Sequence, residues 1–262
     1  MKKEINYINE NFKIMLKSLI EYKSNFYSAL AEQFFYYIAL GILLFVLYDN
    51  FGDIVGWSLK EFIFYMVLFD FLLIFTNIFF WGKDLVFDIP SGDLSQYINK
   101  PINPLIAYIF SRLSAETILQ VVISSLFILG LILHYQISFV TIILTFLVLL
   151  LISFVFFLFR IAITSFAFKA IGFTKYLYKF ENTFFFIMQQ YPTPFFMKTK
   201  LARVLMFYPF FFIGSLLIPM VSNTPIWNIS YQLTILFILA IIFLFIGIAN
   251  WKQGLKKYEA FG

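Results

Sequence analysis

The stretch FVTIILTFLVLLLISFVFFLF, residues 139–159, decides the class of this fold. It contains no charged side chain, and it is long enough to cross the hydrocarbon layer of a bilayer, which needs about 20 apolar residues in a helix. Composition extends this to the whole chain, because 62% of the 262 residues are hydrophobic and only 13% are charged. In soluble domains roughly 45–50% of the residues are hydrophobic and about 25% are charged. A soluble fold could not cover so much apolar surface, so we predict a membrane protein.

The other apolar stretches set the number of crossings. Counting the one above, spans are predicted at about residues 30–48, 62–81, 105–133, 139–168 and 229–249. None shows the period-2 alternation of a membrane barrel strand, so we predict an all-α polytopic protein. A sixth crossing is expected between the fourth and last spans, where prolines interrupt the chain. Two positions compete for it, about 176–191 and about 204–221.

Positive residues orient the chain. With six crossings and both termini in the cytoplasm, every lysine and arginine lies on the cytoplasmic side except Lys60 and, for one position of the fifth span, Lys198, Lys200 and Arg203. A fifth span at 204–221 keeps those three inside, whereas a span at 176–191 places them outside. In the second case 192–221 becomes an external re-entrant helix pair, since Pro209 and Pro219 break a simple span. The charge distribution alone favours 204–221.

Residues 1–29 precede the first span and follow a different pattern. Apolar residues such as Ile5, Ile8 and Phe12 recur at helical spacing, while Lys13 and Lys17 lie four residues apart on another face. This pattern predicts an amphipathic helix that lies in the membrane interface. A solvated helix packed against a neighbour is the alternative.

Catalytic motifs are absent from the sequence. Gly82-Lys83 is not followed by Ser or Thr, so no phosphate-binding P-loop is present, and no GxSxG nucleophile motif occurs. One histidine, His134, and zero cysteines leave no multi-histidine or thiolate metal centre. We therefore predict neither an enzyme nor a cofactor. The net charge of +5 is attributed to cytoplasmic loops and not to nucleic-acid binding.

Charged residues at membrane depth are costly and usually face a bundle interior or water. Asp70 lies near the middle of the second predicted span, where it is either a functional polar site in a transport pathway or a structural hydrogen-bonded carboxyl. Arg112 and Glu116 are four residues apart in the third predicted span, so we predict that they share one helix face and pair. Three residues nearer the span ends are predicted to snorkel to the interface, namely Glu32, Arg160 and Glu181.

The cytoplasmic connection at 83–104 carries the most informative pattern. Ser91-Gly92-Asp93 predicts a turn and an N-cap. Leu94 and Tyr97 follow at helical spacing, and two prolines end the segment, Pro101 and Pro104. We predict a short helix, apolar on one side, held against the cytoplasmic face between two spans. It is either a passive interfacial loop or the piece that a cytoplasmic partner contacts.

This connection carries a family resemblance. The sequences IPSGDL (89–94) and KPINPL (100–105) resemble the first cytoplasmic loop of type 2 ABC exporter permeases, especially a small bacterial subfamily with a Gly-Asp-Leu turn and an [RK]-P-x-x-P-L exit. The resemblance extends over most of the chain, through Tyr191-Pro192, Tyr208-Pro209 and Pro219. In the family, that last pattern belongs to external re-entrant helices between spans five and six. The resemblance therefore favours the fifth span at 176–191.

The resemblance implies one permease domain, 1–262, in a bacterial plasma membrane. It would be the membrane subunit of an exporter for an unknown, amphipathic substrate, driven by separate cytoplasmic ABC ATPase subunits. A second permease copy or a related permease would complete the pathway. The alternatives are an ion-coupled secondary transporter and a non-transporting scaffold subunit. The residues expected to couple the ATPase to the spans are Gly92, Asp93, Leu94, Tyr97, Pro101 and Pro104, while Asp70, Arg112 and Glu116 are the intramembrane candidates.

Overall fold

A computed structural model describes residues 2–53, 56–78, 82–169, 174–191, 193–197, 199–224, 226 and 228–258. Every regular element in these ranges is helical, which confirms the predicted all-α class. The α-helices, in chain order, are α1 (Lys2–Glu21), α2 (Lys23–Phe51), α3 (Leu59–Asn77), α4 (Gly82–Ser91), α5 (Ser95–Ile98), α6 (Pro104–Ser111), α7 (Ala115–His134), α8 (Phe139–Thr164), α9 (Thr174–Gln190), α10 (Pro194–Met197), α11 (Leu201–Leu205), α12 (Ile218–Ser222) and α13 (Ile229–Lys257).

Four of the described helices are long and apolar enough to cross a membrane. They are α2, α7, α8 with its 3₁₀ extension to Phe168, and α13. Helix α3 is also apolar but carries Lys60, Glu61 and Asp70. It occupies the middle of the bundle, where it packs against α2, α7, α8 and α12. Outward-facing residues of α2 and α7 are mostly exposed apolar side chains, as expected for surfaces in contact with lipid.

The third predicted span, 105–133, is not one helix. Helix α6 ends at Ser111 and α7 begins at Ala115. Ser114 has extended backbone, and its hydroxyl accepts a hydrogen bond from the Thr117 amide at 3.1 Å. A serine in this position caps a new helix, because it satisfies an amide that has no partner in the first turn. Arg112 therefore lies before a helix start rather than within a continuous span.

The short helix predicted within 83–104 is present as α5. The chain turns sharply at Gly92, whose φ of +88° suits glycine, and the Ser95 hydroxyl donates to the Gly92 carbonyl at 2.7 Å. The turn predicted for Ser91-Gly92-Asp93 is present, but none of these three residues is the N-cap of α5. The Asp93 carboxylate accepts from the Ser91 hydroxyl at 2.6 Å, and the N-cap position of α5 is taken by Leu94 without a side-chain bond.

The two predicted positions of the fifth span differ in structure. At the first, α9 is one continuous helix of 17 residues. At the second, 204–221 contains the end of α11, several turns, a π-helical turn at Ile213–Leu217 and α12. Pro209 lies among the turns, consistent with its inability to continue a helix. Pro192, Lys198 and Pro225 lie outside the described residues.

The broken segment, residues 193–197 and 199–222, folds back on itself as a hairpin. Near its start, the Thr193 hydroxyl donates to the Phe211 carbonyl at 3.1 Å. A Cβ atom on Gly214 would lie 2.3 Å from Thr193 Oγ1 and 3.0 Å from the Trp57 ring, so glycine permits this close approach. Trp57 lies just before α3, which places the two arms of the hairpin beside the N-terminal end of that helix.

The tip of the hairpin lies deeper, among aromatic rings. Tyr208 contacts the rings of Phe156 and Phe159 at centroid distances of 5.9 and 5.4 Å. Phe210 lies 4.4 Å from Phe69, near the middle of α3. Both tip residues are buried. Consecutive apolar side chains after Pro209 thus fill the space between α3 and α8.

A buried ion pair joins α8 to α9. The Arg160 Nε donates to Glu181 Oε1 at 2.6 Å, and the guanidinium also donates to Asn77 at the end of α3. Arg160 is 8% exposed and Glu181 is 6% exposed. The predicted snorkelling of these two residues is therefore wrong, because each is the partner of the other inside the bundle.

We expect Arg160→Met to lower the midpoint of thermal unfolding markedly in lipid nanodiscs. The change leaves Glu181 as a buried charge without its partner, which costs about 3–5 kcal/mol. Arg160→Met combined with Glu181→Met should recover most of the loss. Arg203→Met makes the same replacement at an exposed residue and serves as the control. Equal midpoints for Arg160→Met and Arg203→Met would contradict the pairing.

Candidate functional site

The 82–103 segment, defined as α4, the Gly92 turn, α5 and the residues up to α6, has one face directed into the protein. Leu94 is fully buried and Tyr97 is 7% exposed. They pack in one cluster with Tyr108 of α6, Ile161 of α8 and Trp251 of α13. The inward face of this segment therefore packs on α6, α8 and α13.

The opposite face of the 82–103 segment is exposed. Asp93, Gln96 and Pro101 point outward, whereas Gly92 and Pro104 are half-buried. Pro104 occupies the first turn of α6, where its missing N–H costs nothing, and Asn103 caps that helix through a 2.9 Å bond to the Leu105 amide. The six residues expected to couple a partner to the spans thus divide into two buried anchors, two outward residues and two that shape the backbone.

An acidic residue fastens this segment to α6. Asp88 Oδ2 accepts from the Tyr108 hydroxyl at 2.8 Å and from the Arg112 guanidinium. Arg112 also lies 3.4 Å from Asp84 Oδ2 and over the Tyr108 ring. Burial raises the pKa of the Asp88 carboxyl, while the Tyr108 hydrogen bond and the Arg112 charge lower it in part. Helix α4 is therefore held at the break between α6 and α7.

The predicted pair of Arg112 and Glu116 is wrong. Arg112 turns to Asp88 and Asp84, and Glu116 is an exposed residue in the first turn of α7, where a carboxylate suits the helix N-terminus. Sequence reasoning missed Asp84 and Asp88. Their signal was available, because two carboxylates four residues apart share one helix face, but they are more than 20 positions from Arg112 in sequence.

Asp70 lies where α2, α3 and α7 meet. Its Oδ2 accepts from Gln33 Nε2 at 2.7 Å and from the Tyr37 hydroxyl at 2.8 Å. Ser124 Oγ lies 2.8 Å from the same tyrosine hydroxyl and donates to the Gln120 carbonyl at 2.8 Å. Asp70 of α3 is thus hydrogen-bonded to two side chains of α2, and Tyr37 connects the same group to Ser124 of α7. A part in a transport pathway stays a prediction.

Two apolar cavities lie end to end along α3 and α8. The one near the start of α8 has a volume of about 170 Å³ and is also walled by α7. The other, of about 320 Å³, is walled by α6. Hydroxyl groups are the polar side-chain groups in their linings, contributed by Ser125, Thr145, Thr76 and Ser153. Such linings suit hydrocarbon rather than a charged ligand. Across the described ranges, no three His, Cys, Asp or Glu side chains are grouped so that they could hold a metal ion.

Comparison with known families gives a match over most of the chain. The family model described as "ABC-2 family transporter protein" matches residues 34–262. No curated protein and no solved structure matches the chain. The matched range contains the 82–103 segment and most of the Asp70 network, and it begins within α2. Helix α1 lies outside it.

Arg112→Gln should loosen the 82–103 segment, whereas Glu116→Gln should not. The first change leaves Asp88 without its cationic partner, and an unsatisfied buried group costs about 1–3 kcal/mol. Hydrogen exchange in nanodiscs, followed by mass spectrometry, should show faster exchange in peptides from 82–103, by roughly thirtyfold for a cost of about 2 kcal/mol. Unchanged exchange in Arg112→Gln, or an equal increase in Glu116→Gln, would contradict the assignment.

Proposed function

Because the chain belongs to the ABC-2 family of transporter proteins, we propose that it is the membrane subunit of an exporter powered by separate cytoplasmic ATPase subunits. The observation that carries the proposal is the two-sided 82–103 segment. Its inward face packs on α6, α8 and α13, and its outward face exposes Gln96 and Pro101. A partner that binds the outward face could displace such an element, and the inward face would transmit the displacement to the spans.

The proposed transport step follows from this packing. An ATPase that closes on ATP would press on the outward face of the 82–103 segment. Leu94 and Tyr97 would pass the displacement to the helices beneath, and the spans would tilt as rigid bodies. A second permease copy, or a related subunit, would complete the pathway. The substrate of the proposed exporter is amphipathic, and the two apolar cavities would suit its apolar part.

We also propose six crossings in a bacterial plasma membrane, made by α2, α3, the α6–α7 pair, α8, α9 and α13, with both termini in the cytoplasm. The distribution of lysines and arginines supports this orientation. The hairpin at 193–222 would then be re-entrant from the outside. Support comes from its contacts, because both arms lie near the N-terminal end of α3 while Tyr208 and Phe210 lie deeper.

The contact with an ATPase is tested by Gln96→Trp. Gln96 is exposed, so a large ring there should leave the fold intact but obstruct a partner that docks on this face. An ATPase that co-purifies with the unaltered permease from native membranes should be lost, by at least about tenfold, which corresponds to 1.4 kcal/mol of binding. Leu94 is unsuitable for this purpose, since it is fully buried and its replacement by Asp would disrupt packing.

The control for that experiment is Asn50→Trp, which introduces the same ring at an exposed residue near the C-terminal end of α2. Co-purification should be unaffected by it. Retention of the ATPase by Gln96→Trp would contradict the proposed docking face. Failure of any ATPase to accompany the unaltered permease would contradict the proposed function itself.

The re-entrant hairpin is tested by single cysteines, which the cysteine-free chain makes unambiguous. We expect Lys200→Cys to react with a membrane-impermeant maleimide on intact cells, as Asp49→Cys should. Lys256→Cys should react only after the cells are opened. Protection of Lys200→Cys in intact cells would place it inside, and the fifth crossing would then lie at 204–221.

A further inference from the structure

Helix α1 has three distinct faces. One packs against α2, α6 and α7 and contains Met15, which is 4% exposed, and the half-buried Tyr7. A second face is apolar and uncovered, formed by Ile5, Phe12, Leu16 and Ile20, which are 50%, 47%, 43% and 73% exposed. The third is polar and has more positive than negative side chains, all of them exposed: Lys2, Lys3, Lys13 and Lys17, with Glu10 and Glu21.

The uncovered apolar face lies beside the lysines rather than opposite them. A helix of this kind places its apolar stripe among acyl chains near the head groups, while long lysine side chains extend to the charged layer. Helix α1 is also tethered at that level, because Tyr22 alone separates its last residue, Glu21, from Lys23, the first residue of the membrane-spanning α2. Lys13 contacts Glu10 at 2.9 Å, but both residues are largely exposed, so this ion pair contributes little.

The packed face of α1 reaches the 82–103 segment through one lysine. Lys100 Nζ donates to the Tyr7 hydroxyl at 2.8 Å, and that hydroxyl donates to the Ala107 carbonyl at 3.3 Å. The same ammonium group lies 4.8 Å from the centre of the Tyr7 ring and 5.1 Å from that of Tyr97. Lys100 thus stands between a ring of α1 and a ring of α5, in contact with both.

We propose that α1 is a docking surface for the anionic head groups of the adjoining lipid leaflet, and that Lys100 transmits the position of α1 to the 82–103 segment. The occupant follows from charge complementarity and from the apolar stripe beside it. Each lysine near an anionic surface contributes about 1 kcal/mol, or about a fivefold change in binding. The consequence for coupling rests on the proposed function, whereas lipid docking and the Lys100 link do not.

The docking surface is tested with the full chain in nanodiscs of phosphatidylcholine, alone or in an equimolar mixture with phosphatidylglycerol. Amides of α1 should exchange more slowly in the mixture, and high salt should remove the difference. Lys13→Gln with Lys17→Gln should reduce the lipid effect by about fivefold per lysine. Lys256→Gln with Lys257→Gln removes the same charge from exposed residues near the end of α13, and this double variant should retain the lipid effect. Equal exchange in the two lipids, or equal loss in both double variants, would overturn the proposal.

The link is tested in the same samples by Lys100→Met. In the unaltered chain, peptides from 92–103 should slow together with α1 when phosphatidylglycerol is present. In Lys100→Met, α1 should still respond and 92–103 should not. Lys100→Arg should restore the response, because a guanidinium also binds aromatic faces. A response of 92–103 that persists in Lys100→Met would overturn the link. No ATPase is present in these samples, so the result is independent of whether one binds.

Discussion

Inside hydrocarbon no water is available to a polar side chain, so each one must find its partner within the protein. Apolar contact cannot by itself decide which helices become neighbours, because lipid tails are as apolar as leucine. In this chain a few polar clusters determine which helices are neighbours. Gln33, Tyr37, Asp70 and Ser124 join α2, α3 and α7, and Arg160 with Glu181 and Asn77 joins α8, α9 and α3. A third contact, between Ser215 and Gln232, fixes the hairpin to α13.

Helix α3 takes part in the first two clusters, which explains its composition. Its 19 residues carry three charged side chains, as many as the 29 residues of α2 or of α13, yet most of its residues are buried. Asp70 in its middle and Asn77 at its end are satisfied by neighbours on different sides. The 82–103 segment comes after this central helix in the sequence, and it packs against α6 and α8.

The sequence predicts the helical class and the approximate spans because composition and the length of an apolar stretch can be read without knowing which distant residues meet. It also predicts the short helix after Gly92, whose turn and following prolines are local signals. The break before α7 was missed because residues on both sides remain apolar, and the Ser114 cap is a single contact. The partners of Arg112 and Arg160 were missed for another reason. They lie about 20 or more positions away in sequence, and only the packed bundle brings them together.

Two attachments of very different strength meet on the 82–103 segment. The Asp88–Tyr108–Arg112 contacts are part-buried and combine an ion pair with hydrogen bonds, so they hold α4 firmly to α6. The Lys100 contacts with Tyr7 and Tyr97 are nearer water, where a cation–π interaction is worth about 0.5–1 kcal/mol. The contact with α6 is therefore the stronger of the two attachments, and the Lys100 contact with α1 is the weaker. On the proposed function, a membrane surface that repositions α1 would adjust how readily this segment is displaced by an ATPase.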